Sequence, residues 1–189
     1  VLRIGDQHRP ELFALHIKRP AGLQRAVLEV AGRLDARGQE IAPLQLDQGL
    51  REQLVQWRAA GLRSCAIALM HAYRNPDHEL ALQRFAAELG FETVVCSHQV
   101  CPLPRLVPRG QTALVEAAVA RVLRAYLAQV RADLGEATGL RVMGSSGALL
   151  DPSALLAKDT ILSGPAGGMV GAVAAARQAG GRRSSAPLG

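Results

Sequence analysis

Lysine, aromatic residues and long apolar runs are all scarce in this chain. Only Lys18 and Lys158 are lysines, so arginine carries almost all of the formal charge of +6 and of the sequence pI of about 10.0. A nucleic-acid surface groups its arginines on one face and interleaves aromatics for stacking. Here the arginines are scattered and aromatics make up 3% of residues, which argues against a nucleic-acid partner. No apolar stretch approaches the ~20 residues that span a bilayer, and "SCAIALM" is far too short, so no membrane role is expected. Three cysteines, Cys65, Cys96 and Cys101, make no even disulfide framework and suit a reducing compartment. "CSHQVC" offers Cys96, His98 and Cys101 as soft metal ligands. A structural zinc site takes four, in paired short spacings, and no second pair is present. The cysteines therefore read as structural, His98 reads as a surface residue, and no metal ligand is assigned. Neither a signal peptide nor an initiator methionine is present, and Val1 opens in mid-pattern, so the chain reads as an internal piece of something longer.

What is present is the composition of a packed domain: 49% hydrophobic and 20% charged over 189 residues. In "QGLREQLVQWRAAG" Leu50, Leu54 and Trp57 share one helical face, and Gly61 ends the helix. "SCAIALM" then reads as a strand buried on both faces. "NPDHE" starts the next helix, with Asn75 as cap, Pro76 in the first turn, and Asp77 and Glu79 complementing the dipole. Its core face is Leu82, Phe85, Ala86 and Leu89, and Gly90 closes it. "FETVVCS" is the following strand. The proline-rich "CPLPRLVPRG" reads as a loop before a long helix from about Thr112 to Leu134. "GLRVMGSSG" reads as a short strand with a glycine turn, and "TILSG" as a strand feeding a helix over 165–178. Alternation of this kind implies an α/β architecture with right-handed crossovers, preceded by an N-terminal part that looks like a hairpin.

Three places could carry chemistry, and each has a plainer reading. His71, Tyr73 and Arg74 follow the strand at 65–70, where α/β sheets bind ligands, but they also suit an exposed capped loop. Arg109 stands before the long helix with Thr112 as a candidate cap, an arrangement that attracts anions or is simply solvated. Arg121, Arg124 and Arg131 form a solvated side of that helix, and Asp47, Asp77 and Asp133 read as surface groups. In "DTILSGPAGGMVGAVAAA", Ser163 or Gly164 caps a helix with Pro165 in its first turn. Gly167 and Gly168 leave the backbone open to a phosphate or to a close neighbour, and spacing leaves those two alternatives even. The stretch is neither a Walker A loop nor a three-glycine dinucleotide fingerprint.

Four strings in order, "VLRIGDQHRPELFAL", "LMHAYRNPDHE", "PRGQTALVEAAVARVLRAYL" and "KDTILSGPAGGMVGA", resemble the hydantoinase A/5-oxoprolinase family from Val1 to about Gly181. The resemblance implies an incomplete portion of an actin, sugar-kinase and Hsp70-like ATPase fold, ribonuclease H-like, over residues 1–181, with an aberrant or disordered tail at 182–189. It implies ATP-driven opening of 5-oxo-L-proline to L-glutamate, through phosphorylation of the lactam oxygen and attack by water, with Mg²⁺ bridging the ATP phosphates. Ser163, Gly164, Gly167 and Gly168, and secondarily Arg109 and Thr112, become nucleotide-proximal, and His71, Tyr73 and Arg74 substrate-proximal. The implied setting is cytoplasmic, in glutathione metabolism, with the rest of the oxoprolinase as partner and a homo-oligomeric full-length enzyme. Alternatives on the same scaffold are a hydantoinase or an ATP-dependent carboxylase subunit, and, from another class, a noncatalytic assembly module. The sequence departs from the family pattern in lacking both Asp-Gly-Gly-Thr type phosphate loops, and at Cys101, Gly144 and Ala148, where serine, glutamine and glycine are usual. Those departures lead to the expectation of a truncated fragment that is inactive alone, with its Mg²⁺ ligands outside this chain.

Overall fold

The structure, a computed structural model, describes residues 22–135 and 138–179. The string at 1–15 and the tail at 182–189 lie outside the described residues. The chain parts into two compact units between Ala118 and Val119.

The first unit opens with an antiparallel hairpin, β1 (Arg33–Leu34) and β2 (Glu40–Ala42), in accord with the sequence reading. Asp35 shapes its turn by accepting from the amides of Arg37 and Gln39, and Gly38 supplies the left-handed residue at φ +85°. Helix α1 (Gln48–Ala59) is capped by Asp47, whose Oδ1 accepts from Leu50 N at 2.8 Å. It stops at Gly61, φ +92°. Strand β3 (Ser64–Ile67), helix α2 (Asp77–Glu88) and strand β4 (Thr93–Cys96) follow, and β3 and β4 pair in parallel with Cys65 opposite Val94 and Ile67 opposite Cys96. The core joins these elements: Leu50, Leu54, Ile67, Leu82, Phe85, Ala86, Phe91 and Cys96, with Trp57 and Leu89 packed against it. A parallel pair needs a crossover of a dozen or more residues, and α2 fills that role.

Two boundaries differ from the sequence reading. Helix α4 runs from Leu106 to Leu134, so "LVPRGQT" is helical instead of loop, and Thr112 is no cap. Its hydroxyl donates to Pro108 O, one turn back, at 2.9 Å. Pro108 is tolerated because it falls in the first turn, where an amide has no intrahelical partner in any case. Between β4 and α4 lies the short helix α3 (Ser97–Val100).

The second unit holds an antiparallel pair, β5 (Val142–Met143) and β6 (Leu149–Leu150), turning through Gly147 at φ +80°. Helix α5 spans Ser163–Gln178. "TILSG" is not a strand. Residues Ala157–Thr160 form a 3₁₀ turn, and the backbone groups of Asp159 and Leu162 bond to Ser145, leaving no ladder for a strand to join. Ser163 is inside α5 and caps nothing, since the residue ahead of the helix is Leu162, with no side-chain bond. The whole is mixed α/β with short sheets, the class expected from the alternation. No helix among the described residues is long and apolar enough to cross a membrane.

Candidate functional site

Both strands of the parallel pair point their carboxyl ends at one cluster of polar side chains. After β3 comes the segment Leu69–Arg74, and after β4 come Ser97 and His98. Helix α2 supplies Glu79 and helix α4 supplies Arg109. Glu79 and Arg109 are both completely buried. Burying two charged groups is costly unless each is paired and hydrogen-bonded, so the bonding is extensive.

Glu79 Oε1 accepts from Leu69 N at 2.9 Å and from the Ser97 hydroxyl at 2.5 Å. Its Oε2 accepts from His98 N at 3.0 Å and from His98 Nδ1 at 2.7 Å. Arg109 Nη1 lies 3.6 Å from Glu79 Oε1 and donates to Ser97 Oγ at 2.9 Å, while Nη2 donates to Leu69 O at 2.6 Å. The two charged side chains thus grip the Leu69 backbone from both sides, one at its N–H and one at its C=O. That clamp fixes the start of the loop carrying His71, Tyr73 and Arg74.

Within the loop, His71 holds a left-handed backbone at φ +60°, and its buried Nδ1 has no partner. Such a conformation costs a non-glycine residue roughly 1–2 kcal/mol, so the surrounding bonds must impose it. Those bonds are visible: His71 O accepts from the amides of Arg74 and Asn75, and Asn75 Nδ2 donates to Gly38 O at 3.0 Å. Tyr73 sits between cations, with Arg74 Cζ 5.8 Å and Arg109 Cζ 5.9 Å from its ring centroid, and the His71 ring 6.3 Å away. A second pair, His78 Nε2 and Glu40 Oε2 at 2.6 Å, joins α2 to the hairpin.

Four sequence-nominated residues therefore come together: His71, Tyr73, Arg74 and Arg109. Arg109 is neither a solvated arginine nor part of an uncapped helix end open to anions, because α4 begins earlier and packs it inside. Gly110, the next residue, would place a Cβ 3.2 Å from Ala68 Cβ, so a bare position lets α4 approach the end of β3. Ser163, Gly164, Gly167 and Gly168 belong to the second unit. There Gly167 packs, since a Cβ would lie 3.0 Å from Met143 Sδ, whereas nothing lies within 4 Å of Gly164 or Gly168.

Glu79, Ser97 and His98 as a network were not legible as a site. One signal for Glu79 exists in the sequence: it stands three residues before Leu82 and seven before Ala86, on the apolar stripe of α2 and off its solvent face. His98 is not the surface residue expected; it is half-buried against Glu79. Glu79, Cys96 and His98 bring ligand-type atoms within 4.8 Å of one another. The chemistry of that trio is not that of a cation site. Burial, with Glu79 and Cys65 nearby, pushes the Cys96 thiol up to about 12, its Sγ–H donates to Glu79 O at 3.3 Å, and the Arg109 guanidinium already faces Glu79. Cys65 is likewise pushed up by burial, to about 11, so neither thiol is a ready ligand or nucleophile.

Comparison with known proteins bears on what this arrangement belongs to. Residues 1–90 match the model of the hydantoinase/oxoprolinase N-terminal region, and residues 109–184 match that of hydantoinase/oxoprolinase. The chain is 34% identical to 5-oxoprolinase 1 of Arabidopsis thaliana and 31% identical to 5-oxoprolinase of Saccharomyces cerevisiae. Each alignment covers 90% of this chain and 15% of the relative. Among solved structures it is similar to the ATP-dependent caprolactamase of Pseudomonas jessenii, with a TM-score of 0.68 at 28% identity over 80% of this chain and 23% of that one. It is also similar to nucleotide-free acetone carboxylase, with a TM-score of 0.67 at 26% identity over 80% of this chain and 22% of that one. The chain spans about 15% of the length of the curated relatives it matches. With both family models matched in order along its length, the chain belongs to the hydantoinase/oxoprolinase family.

Proposed function

We propose that this chain is part of an ATP-dependent 5-oxoprolinase, an enzyme that opens 5-oxo-L-proline to L-glutamate at the expense of ATP, and that it is inactive by itself. The observation that carries the reading is the likeness to proteins named 5-oxoprolinase over 90% of this chain. The family's ATP-dependent members, caprolactamase and acetone carboxylase, support the use of ATP. Opening a stable lactam needs a driving force, and ATP hydrolysis supplies it.

The residues of α5 fit a phosphate in one respect. Its first turn has no side-chain cap, and Gly164 and Gly168 present open backbone, so the amides of Ser163 and Gly164 are the groups that would face an anion, with Gly167 and Gly168 giving room. For Mg²⁺ the fit fails among the described residues of that unit: Asp159 is engaged by Lys158, Asp151 by Arg141 and Ser153, and Asp133 by Gln129. The proposed enzyme would therefore draw its Mg²⁺ ligands from outside the described residues of that unit. In the first unit, the clamped loop of His71, Tyr73 and Arg74 is the proposed substrate-proximal surface. Arg109 acts there by holding the loop, and Thr112 contributes only through α4. The reading carries with it a cytoplasmic setting and a homo-oligomeric full-length enzyme.

The likeness to acetone carboxylase and caprolactamase favours a second reading, a carboxylase or lactamase subunit on the same scaffold. Phosphate release tests both. The purified chain alone is expected to release none in response to 5-oxo-L-proline; combined with the remaining portion of the enzyme it is expected to respond to 5-oxo-L-proline over hydantoin, caprolactam and acetone. Stimulated release by the chain alone would remove the proposal of inactivity, and preference for another of these compounds would replace the substrate.

A further inference from the structure

We infer that Glu79 and His98 form a carboxylate–imidazole dyad whose outward nitrogen, His98 Nε2, is a proton acceptor at the carboxyl end of the β3–β4 pair. A carboxylate oxygen offers only lone pairs, so the 2.7 Å contact from His98 Nδ1 to Glu79 Oε2 places the ring proton on Nδ1. The backbone N–H of His98 meets the same oxygen at 3.0 Å, which holds residue and ring together against one fixed atom. Glu79 is itself immobilised, with Oε1 taken by Leu69 N and Ser97 Oγ. The His98 side chain is 15% exposed, and Nε2 is neither bonded within the described residues nor sealed from solvent. Tautomer and orientation are thus set from inside, and the lone pair of Nε2 faces outward.

That division of labour, a buried carboxylate orienting an imidazole whose far nitrogen handles the proton, is the logic of hydrolytic dyads and triads. Placement adds to it, since α/β sheets bind ligands beyond the carboxyl ends of their strands, where α3 begins. The charged group facing the dyad is Arg109 from α4, whose Nη1 lies 3.6 Å from Glu79 Oε1 and donates to Ser97 Oγ. The catalytic role rests on the oxoprolinase reading. As a water attacks the ring carbon of the O-phosphorylated lactam, its oxygen forms the new C–O bond, the C=N π pair moves onto the ring nitrogen, and one O–H bond of the water breaks. The proton passes to His98 Nε2, and Glu79 steadies the imidazolium that results. Groups in this role commonly contribute 10²–10⁴-fold to a rate.

The geometry is tested apart from any activity, by nuclear magnetic resonance of the whole chain carrying isotope-labelled histidine, with His98→Gln used to assign the signal. In the wild type, His98 is expected as the Nδ1–H tautomer, with Nε2 unprotonated and open to acylation by diethyl pyrocarbonate. In Glu79→Leu, which removes the acceptor altogether, Nδ1 loses its fixed partner and the ring is expected to shift toward the Nε2–H tautomer, slowing that acylation. A wild-type ring protonated on Nε2 would overturn the inference even if the variant failed to fold, and so would a folded variant with an unchanged tautomer. Failure of the oxoprolinase reading would leave these signals as expected and change only the reaction assigned to the dyad.

Discussion

Arg109 shows how differently a residue reads once its neighbours are known. As a charge near the start of a predicted helix it suited either solvent or an anion; with its guanidinium between Ser97 Oγ, Leu69 O and the Tyr73 ring, it is a structural cation. Removing one partner of a buried ion pair typically costs 3–5 kcal/mol, because the other charge is left uncompensated. Arg109→Met is therefore expected to destabilise the chain by about that amount, and adding Glu79→Leu is expected to recover part of the loss. Urea midpoints for the two single variants and the double variant give the comparison; strictly additive losses would mean that the charges do not interact. The thiols give a second prediction. With folded values near 11 for Cys65 and 12 for Cys96 against an ordinary 9.0, the folded state keeps its protons where the unfolded state has lost them. Stability from these groups is fully present below about pH 9 and falls as pH rises toward 11–12, by up to roughly 1.4 kcal/mol per pH unit for each thiol. Urea midpoints measured from pH 8 upward should decline. At neutral pH, Cys101 should alkylate before Cys65 and Cys96, and equal rates would contradict their protection.

Elements whose hydrogen bonds are internal are the ones most legible in the sequence. Helix α1, with its Leu50–Leu54 face, follows from spacing alone, whereas Asp47 reads there only as a surface group and the structure makes it the cap, so Asp47→Ala is expected to cost about 1 kcal/mol in thermal or urea unfolding. Elements that borrow their partners are less legible along the chain. "TILSG" has the β-branched composition of a strand, but a strand takes its bonds from a neighbour, and here Ser145 takes them instead. The glycines of α5 separate by the same test of surroundings. Gly168→Ala adds a methyl to open space and should gain up to about 1 kcal/mol from helix propensity, while Gly167→Ala presses on Met143 Sδ and should gain less. A melting series in which Gly167→Ala is the more stabilised would reverse that assignment.

For the molecule as a whole, the second unit leaves much apolar surface in water. Leu149, Ile161, Leu162 and Met169 are each more than half exposed, and none of the residues of α5 is buried. Exposed apolar surface of this extent favours association. The chain is expected to scatter light increasingly with concentration, and Met169→Lys with Leu162→Lys to reduce the effect; unchanged scattering would place the sticky surface elsewhere. The same surface is consistent with the proposal that further chain completes the enzyme.

Composition, spacing and four ordered strings were enough to establish the α/β class, the core faces of α1 and α2, and the family. These are properties of local period and of strings that survive without a partner in space. The polar network was decided by tertiary structure, because nothing along the chain says that Glu79, Ser97, His98 and Arg109 meet. Parallel pairing of β3 with β4 brings their carboxyl ends side by side, and a bare Gly110 lets α4 close on them. Only then does a glutamate on an apolar stripe find four donors, and only then does a histidine acquire a fixed proton.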